Sequence, residues 1–337
     1  MKSPITGKEM VLAKESRTLS FRKEKFEVIY HYYKCVDSGD SFTTEHLDEL
    51  NLNQLYNQYR VKNKLPFPDE IKAIRIKYGL SASKMSEVLS FGTNSYRNYE
   101  AGEMPSLANA RLIQFANNPH EFKKLVELSS AFDGPSKDKI LHKADLIIQE
   151  QKLFKQKTEF ENYLMGKICP DSKTGYRQPD FEKFSEMVIF FAEKMQPWKT
   201  MLNKLLFYAD FTMFRKSISS ISGMQYQAIS LGPVPYNFQS IFEYLANNDD
   251  VDVHYTTFPK GNIGEQFKPN ANRKFNPELF NELELKTLEE VAAHFKTTST
   301  NDIIEISHHE KAWLENVSAK NIIDYRYSFE LAELSTT

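Results

Sequence analysis

Apolar and polar side chains alternate over residues 15–34, and this alternation predicts paired strands. It is clearest in the stretch FEVIYHY (26–32), whose aromatic and β-branched residues also favour strand structure. We therefore expect a β hairpin near the N-terminus. From residue 43 to residue 64 the apolar positions take a helical spacing instead, and the stretch LPFP (65–68) then interrupts the helix.

Beyond residue 68 the spacing of apolar residues is mostly helical. Irregular or strand-like sequence interrupts this pattern near residues 226–275. The sequence therefore predicts a mainly α, multidomain fold with a small β hairpin or ribbon at the N-terminus. The predicted divisions are a β domain with its following helix (1–64), a domain of short helices (66–130), a linker formed by a long connecting or dimerising helix (131–168) and an α-rich domain (170–337).

Composition excludes several classes of protein. Apolar residues make up 41% and aromatic residues 13% of the 337 residues, which excludes a disordered chain. The formal net charge of −2 means that any contact with DNA must come from a local surface. Two cysteines exclude a disulfide framework, and no stretch approaches the ~18 apolar residues of a membrane-spanning helix. We expect a soluble, cytoplasmic protein without membrane contact.

The segment from Ile71 to Leu112 predicts a helix-turn-helix unit within residues 66–130. A first helix ends at Gly79, a second follows Ser81, and a tight turn over residues 90–92 precedes a third, short helix that Thr93 can cap. The early residues of the last helix in such a unit enter the major groove of DNA, whereas Tyr96 and Tyr99 are expected to pack inward. The predicted DNA-binding residues are Thr93, Asn94, Ser95, Arg97 and Asn98.

The alternative interpretation of this unit is a helix-turn-helix that contacts only protein. The ending YEAGEMPS (99–106) favours DNA, because it is similar to the Y-E-x-G-x-x-x-P-S ending of Cro/repressor-like DNA-binding domains, with one residue fewer between Gly102 and Pro105. Acidic and basic residues nearly balance within the unit, so a single copy would bind DNA weakly. We therefore expect a homo-oligomer, a dimer on palindromic operator DNA.

Two short segments have the spacing of zinc knuckles, C-x-x-C-G, at residues 3–7 and 35–39. With the helix-turn-helix that follows, residues 1–125 resemble the MqsA/YgiT-type antitoxins. The resemblance implies that Asn94 is the base-reading Asn of the family. Asn98 stands where the family has a DNA-contacting Arg, and Arg97 is the candidate replacement.

Only one of the four expected zinc ligands is a cysteine, Cys35. Ser3, Thr6 and Ser38 carry neutral hydroxyls, which are poor ligands for Zn²⁺ near pH 7. We therefore expect the knuckle shape to persist with no bound metal and no cofactor.

Three blocks in the C-terminal half resemble the Panacea (SocA-like) domain over about residues 185–320. They are KLLFYAD (204–210), S-G-x-x-Y-x-x-x-x-x-G-P-V (222–234) and S-H-x-x-x-A-W (307–313). The resemblance implies a surface that binds a partner protein rather than a catalytic site. His308-His309-Glu310 lacks the H-E-x-x-H spacing of a zinc hydrolase, so we predict no enzyme and expect His309 and Trp313 to hold the last helix on the core.

Together these features predict an antitoxin of a type II toxin–antitoxin system. Its C-terminal domain would neutralise a cognate toxin, and its helix-turn-helix would regulate transcription of its own operon as a repressor. Two alternatives stay open, a prophage-type repressor without a toxin and a SocA-like adaptor that delivers the toxin to a protease. The predicted toxin-binding residues, each of which core packing would explain equally well, are Tyr226, Tyr236 and Phe238.

Overall fold

The structure, a computed structural model, describes residues 1–166, 169–259 and 261–334. The fold is mainly α with small antiparallel sheets, one of them the predicted N-terminal hairpin. The chain forms two compact units, Met1–Glu159 (unit 1) and Phe160–Thr337 (unit 2). Within the described ranges, no helix has the length and apolar character needed to cross a membrane.

Unit 1 begins with a three-stranded antiparallel sheet. Strand β1 (Val11–Phe21) pairs along its whole length with β2 (Glu24–Lys34), whose far end also pairs with the short β3 (Ser41–Phe42). Helix α1 (Glu45–Asn63) packs against β2.

Side chains of α1 take the place of a further strand along the rest of β2. The amide of Asn51 exchanges two hydrogen bonds with the backbone of His31, at 2.8 and 2.9 Å, and Gln54 does the same with Ile29. Because backbone donors and acceptors must be satisfied when they are buried, these amides fix the register of the helix on the sheet.

Five short helices and one long helix complete the described part of unit 1. They are α2 (Pro68–Tyr78), α3 (Ala82–Val88), α4 (Ser95–Glu100), α5 (Leu107–Ala116), α6 (Pro119–Leu128) and α7 (Gly134–Leu153). Their shared core is apolar, and in it the rings of Tyr78 and Phe122 stack with centroids 3.6 Å apart.

Helix α7 covers half of the predicted linker, but it does not stand apart from the helices before it. Its Ala144 is fully buried in the same cluster as Tyr78, and Ile140 and Ile147 pack against that cluster. Residues 134–153 are thus part of the helical core of unit 1. Helix α8 (Lys155–Met165) follows.

Unit 2 surrounds one buried helix, α10 (Lys199–Ser217), which contacts most of its other elements. The other helices are α9 (Phe181–Met195), α11 (Phe238–Asn247), α12 (Glu282–His294), α13 (Thr300–His309) and α14 (Lys311–Leu314). Two antiparallel hairpins join them, β4 (Tyr226–Ile229) with β5 (Gly232–Pro235) and β6 (Val251–Thr257) with β7 (Ile263–Pro269).

Candidate nucleic-acid interface and partner-binding unit

Helix α4 of unit 1 follows α3 after a short turn and packs against both α2 and α3. The hydroxyl of Ser86 in α3 accepts a hydrogen bond of 3.1 Å from the backbone N–H of Tyr96 in α4. The buried hydroxyl of Tyr96 in turn donates to the carbonyl of Ile71 at 2.7 Å. Tyr96 and Tyr99 are buried, as the sequence predicts, so the opposite side of α4 faces solvent.

The predicted DNA-binding residues lie together on that outer side of α4. Four of them, Thr93, Asn94, Arg97 and Asn98, are exposed, and Ser95 is half-buried. Asn94 rather than Thr93 occupies the N-cap position, but its side chain makes no capping bond. In the described ranges, neither the amide of Asn94 nor the guanidinium of Arg97 forms a hydrogen bond or an ion pair with the protein. Both groups therefore face solvent with their bonding capacity intact.

A second arginine of this region is committed to the fold. Arg75 of α2 donates to both carboxylate oxygens of Glu100, at 2.5 and 3.1 Å, and to the carbonyl of Leu80 at 2.8 Å. This two-pronged ion pair fixes the end of α4 on α2 and neutralises both charges. Arg97 is consequently the cation that α4 presents outward.

The two knuckle-like segments have the same backbone geometry. In the first segment, the backbone N–H of Ser3 donates to the carbonyl of Lys8, and that of Gly7 donates to the carbonyl of Ser3. In the second, the N–H of Cys35 donates to the carbonyl of Asp40, and that of Gly39 donates to the carbonyl of Cys35. These four bonds measure 2.8 to 2.9 Å, and both glycines have positive φ, 70° and 77°. Backbone hydrogen bonds thus close both turns, and the Ser3 hydroxyl adds to the first turn by accepting from the N–H groups of Ile5 and Thr6.

Hydroxyl groups surround the one cysteine of these turns. Ser38, Thr6 and Ser3 hydrogen-bond to the sulfur of Cys35 and lower the pKa of its thiol to about 6, although the residue is only 1% exposed. Nowhere in the described residues do three or more side chains of His, Cys, Asp or Glu lie close enough together to hold one metal ion. That the protein binds no zinc stays a prediction.

The carboxylate of Asp210 organises the centre of unit 2. It is fully buried on α10 and accepts hydrogen bonds from the backbone of Ile221 and Ser222, from the Ser222 hydroxyl and from the Tyr226 hydroxyl, at 2.6 to 2.9 Å. Burial raises the pKa of Asp210, and these donors act in the opposite direction. Asp210 thereby fastens the loop before β4 to the central helix.

Two other buried carboxylates connect distant parts of unit 2. Glu284 on α12 pairs with Lys183 at 2.8 Å and with Arg177 at 3.0 Å. Glu310 accepts a hydrogen bond of 3.2 Å from Tyr208 and one of 2.9 Å from the backbone of Ala332. Both carboxylates are buried, and each connects segments that are distant in the chain.

Lys204 and Gly232 lie against each other beneath the tip of the β4–β5 hairpin. The Lys204 ammonium is fully buried and donates to the carbonyl of Pro233 at 3.0 Å, and desolvation lowers its pKa to about 7. A Cβ added to Gly232, whose φ is 97°, would lie 2.5 Å from the hydroxyl of Ser307 and 2.7 Å from the Lys204 side chain. Only glycine fits this position.

One histidine of the SHHEKAW block packs on the tryptophan of the same block. His308, not His309, stacks on the Trp313 ring with centroids 4.0 Å apart, and the Trp313 indole donates to the carbonyl of Ile229 at 2.7 Å. His309 is exposed and bonds only to the carbonyl of Glu305 within its own helix. The expected contact between His309 and Trp313 is thus made by the neighbouring histidine.

Residues 202–314 match the family described as Antitoxin SocA-like, Panacea domain. The match includes Lys204, Asp210, Gly232 and Glu310, the residues around which unit 2 is built. It supports an antitoxin-type role, and the matched family is not a family of enzymes. A search of curated proteins found no match to this chain. The resemblance of residues 1–125 to the MqsA/YgiT-type antitoxins stays a prediction.

The three aromatic residues predicted to bind the toxin differ in how deeply they are buried. Tyr226 is fully buried with its hydroxyl on Asp210, so it offers no surface to a partner. Tyr236 and Phe238 are half-buried; the Tyr236 ring lies against Gly166, and the Phe238 ring against that of Phe242.

Sequence reasoning missed a group of exposed apolar side chains on one hairpin of unit 2. Tyr255, Phe258 and Ile263 on the β6–β7 hairpin are 71%, 41% and 66% exposed. Beside them, a cavity of about 360 Å³ lies between the hairpin and the first residues of α10 and α13, with Trp198 in its wall. The alternation VDVHY (251–255) indicated the strand, but not which of its faces is solvent-exposed.

Proposed function

We propose that the protein is the antitoxin of a type II toxin–antitoxin system. In this proposal unit 2 neutralises a cognate toxin by direct binding, and unit 1 binds the operator of the operon through α4. The observation that carries the proposal is the match of residues 202–314 to the SocA-like Panacea domain, because it lies within the unit that would hold the toxin.

In this proposal, unit 2 inhibits the toxin by binding its surface and not by a chemical reaction. Its core is held by buried carboxylates whose oxygens are all engaged, which leaves no free nucleophile and base among the groups described above. A stable complex buries about 1,600 Å² in total, and aromatic side chains contribute most to such interfaces. The exposed Tyr255 and Phe258, with the half-buried Tyr236 and Phe238, are the candidate contacts.

Operator recognition rests on the outer side of α4. Asn94 has the amide that pairs with adenine through two hydrogen bonds, and Arg97 has the donors for guanine or a phosphate. Thr93, Ser95 and Asn98 lie on the same side and complete the proposed interface. Since one short helix reads few base pairs, a dimer on a palindrome is part of the proposal.

Co-expression with the adjacent gene tests the antitoxin role. We expect the adjacent gene alone to arrest growth, and the full chain to restore growth and to co-purify with its product. The same assay separates the alternatives. A harmless adjacent gene favours a plain repressor, and rescue that disappears in a strain lacking the responsible protease favours an adaptor.

Replacing Asn94 with Ala tests operator recognition. The change should cost about 1–3 kcal/mol on the specific site and relax the choice of one base pair, because it removes a base contact without touching the core. Fluorescence anisotropy with selected and with single-substituted duplexes measures both effects. Arg97→Ala is the companion variant, and equal weakening on all sequences would assign Arg97 to a phosphate.

A further inference from the structure

A group of basic side chains surrounds the tip of the β1–β2 hairpin in unit 1. We call it the basic patch, and its members are Arg22, Lys23, Lys25, Lys62, Lys64 and Arg111. All of these residues are exposed. Three acidic residues lie beside them in the chain or in the segment that Arg22 contacts, Glu24, Glu27 and Glu103, which leaves an excess of three positive charges.

Direct contacts hold the patch together. Glu24 pairs with Lys62 at 2.6 Å and also accepts a hydrogen bond from Asn63, so the hairpin tip lies on the end of α1. Arg111 of α5 donates to the carbonyl of Lys64 at 3.1 Å, which joins α5 to the same end of α1.

Arg22 connects the patch to the segment that follows α4. Its guanidinium donates to the carbonyls of Met104 and Pro105, both at 3.2 Å, and lies over the rings of Phe21 and Tyr59. These hydrogen bonds fix the hairpin tip to residues 104–105, which follow the end of α4 at Glu100 by four and five residues.

The backbone of the hairpin tip favours glycine, yet two basic residues occupy it. Arg22 and Lys23 both have positive φ, 47° and 69°. Two-residue turns of this kind are usually Asn-Gly, and a non-glycine residue at each such position carries a conformational cost. The contacts of Arg22 offset that cost for one residue. The Lys23 side chain makes no hydrogen bond or ion pair within the described ranges, so no contact inside the protein explains it.

The charge of the two units is unequal, and the patch explains the difference for unit 1. Residues 1–159 contain 25 Lys and Arg against 21 Asp and Glu, whereas residues 160–337 contain 18 against 24. The patch supplies three of the four excess positive charges of unit 1. The rest of unit 1, which includes α4, is nearly balanced, and affinity for a phosphate backbone needs local positive charge.

We infer that the basic patch binds the DNA backbone beside the site that α4 reads; the inference rests on the proposed operator binding. Helix α4 has six residues and is about 9 Å long, shorter than the ~12 Å width of the major groove. When its first residues lie in the groove, the segment beyond its last turn lies at the groove's edge, where the phosphates are. Arg22 fixes the hairpin tip to that segment, so Lys23 and Lys25 extend the contact along the backbone.

The test measures how salt affects DNA binding by the full chain. The probes are a 30-bp duplex selected from a random library with the wild-type chain and a scrambled duplex of the same composition. In the variant with Lys23→Gln and Lys25→Gln, the slope of log affinity against log salt should become shallower by about two for each protomer on the duplex, and so by about four for the proposed dimer, because each phosphate contact contributes about 0.9. Binding to both duplexes should weaken by the same factor.

The control removes two exposed lysines from α7 instead, Lys139→Gln and Lys152→Gln, and should leave the slope unchanged. An unchanged slope in the hairpin variant, with wild-type protein that binds DNA, overturns the inference and leaves the proposed function intact. A wild-type chain that binds neither duplex at low salt overturns operator binding itself. If the hairpin variant binds DNA as the wild type does but no longer co-purifies with the toxin, the patch binds an acidic protein instead. That outcome also overturns the inference.

Discussion

Replacing Asp210 with Ala is expected to destabilise unit 2 by on the order of 5 kcal/mol, because each buried donor left without an acceptor costs about 1–3 kcal/mol. The substitution leaves four donors unpaired, two N–H groups and the hydroxyls of Ser222 and Tyr226. Domains are stable by only about 5–15 kcal/mol, so the loss approaches the whole free energy of unfolding of the unit.

Tryptophan fluorescence during urea unfolding measures this effect selectively. Both tryptophans of the chain, Trp198 and Trp313, belong to unit 2, so unfolding of unit 1 does not contribute. Glu243→Ala is the matched control, since this carboxylate is exposed and its loss should change stability by less than about 0.5 kcal/mol. An Asp210→Ala variant that unfolds at the wild-type urea concentration would show that the carboxylate does not hold the loop before β4.

Local sequence patterns predicted the short helices α2, α3 and α4 well, because the residues that determine them are close together in the chain. A glycine ends α2 with φ of 68°, Ser81 caps α3 by accepting from Lys84, and the spacing of Tyr96 and Tyr99 sets the inner side of α4. Each of these signals acts within a few residues. The outer side of α4 followed from them without knowledge of the rest of the fold.

Unit 2 was harder to predict, because burial there depends on contacts between distant segments. Helix α10 is buried on nearly all sides, including the polar Lys204 and Asp210. Tyr226 was one of the three predicted toxin-binding residues, but its hydroxyl binds Asp210 on the central helix. No periodicity within residues 222–234 reveals that bond.

The predicted linker illustrates the same limit. It was expected to be a long connecting or dimerising helix, and most of α7 is partly or fully exposed. The small Ala144 is nevertheless fully buried in the core that it shares with Tyr78 and Phe122. One small buried residue among charged ones gives almost no signal in the sequence, although it decides where the helix lies.

Toxin neutralisation is expected to reside entirely in unit 2 and to need no DNA binding. Residues 155–337, which keep α8 whole, should rescue growth as well as the full chain when they are co-expressed with the toxin. The physical reason is that unit 2 has its own core and that the matched family region lies inside it. Growth curves and co-purification of the toxin are the measurements.

A full-length chain with Asn94→Ala and Arg97→Ala provides the complementary control. Both side chains are exposed on α4, so the fold should persist while repression of the operon promoter falls and growth rescue stays complete. A promoter–reporter fusion read in the same cells separates the two activities. Should residues 1–154 rescue growth while residues 155–337 do not, the toxin-binding surface lies in unit 1, as the resemblance to the MqsA/YgiT-type antitoxins would imply, and this division of labour is wrong.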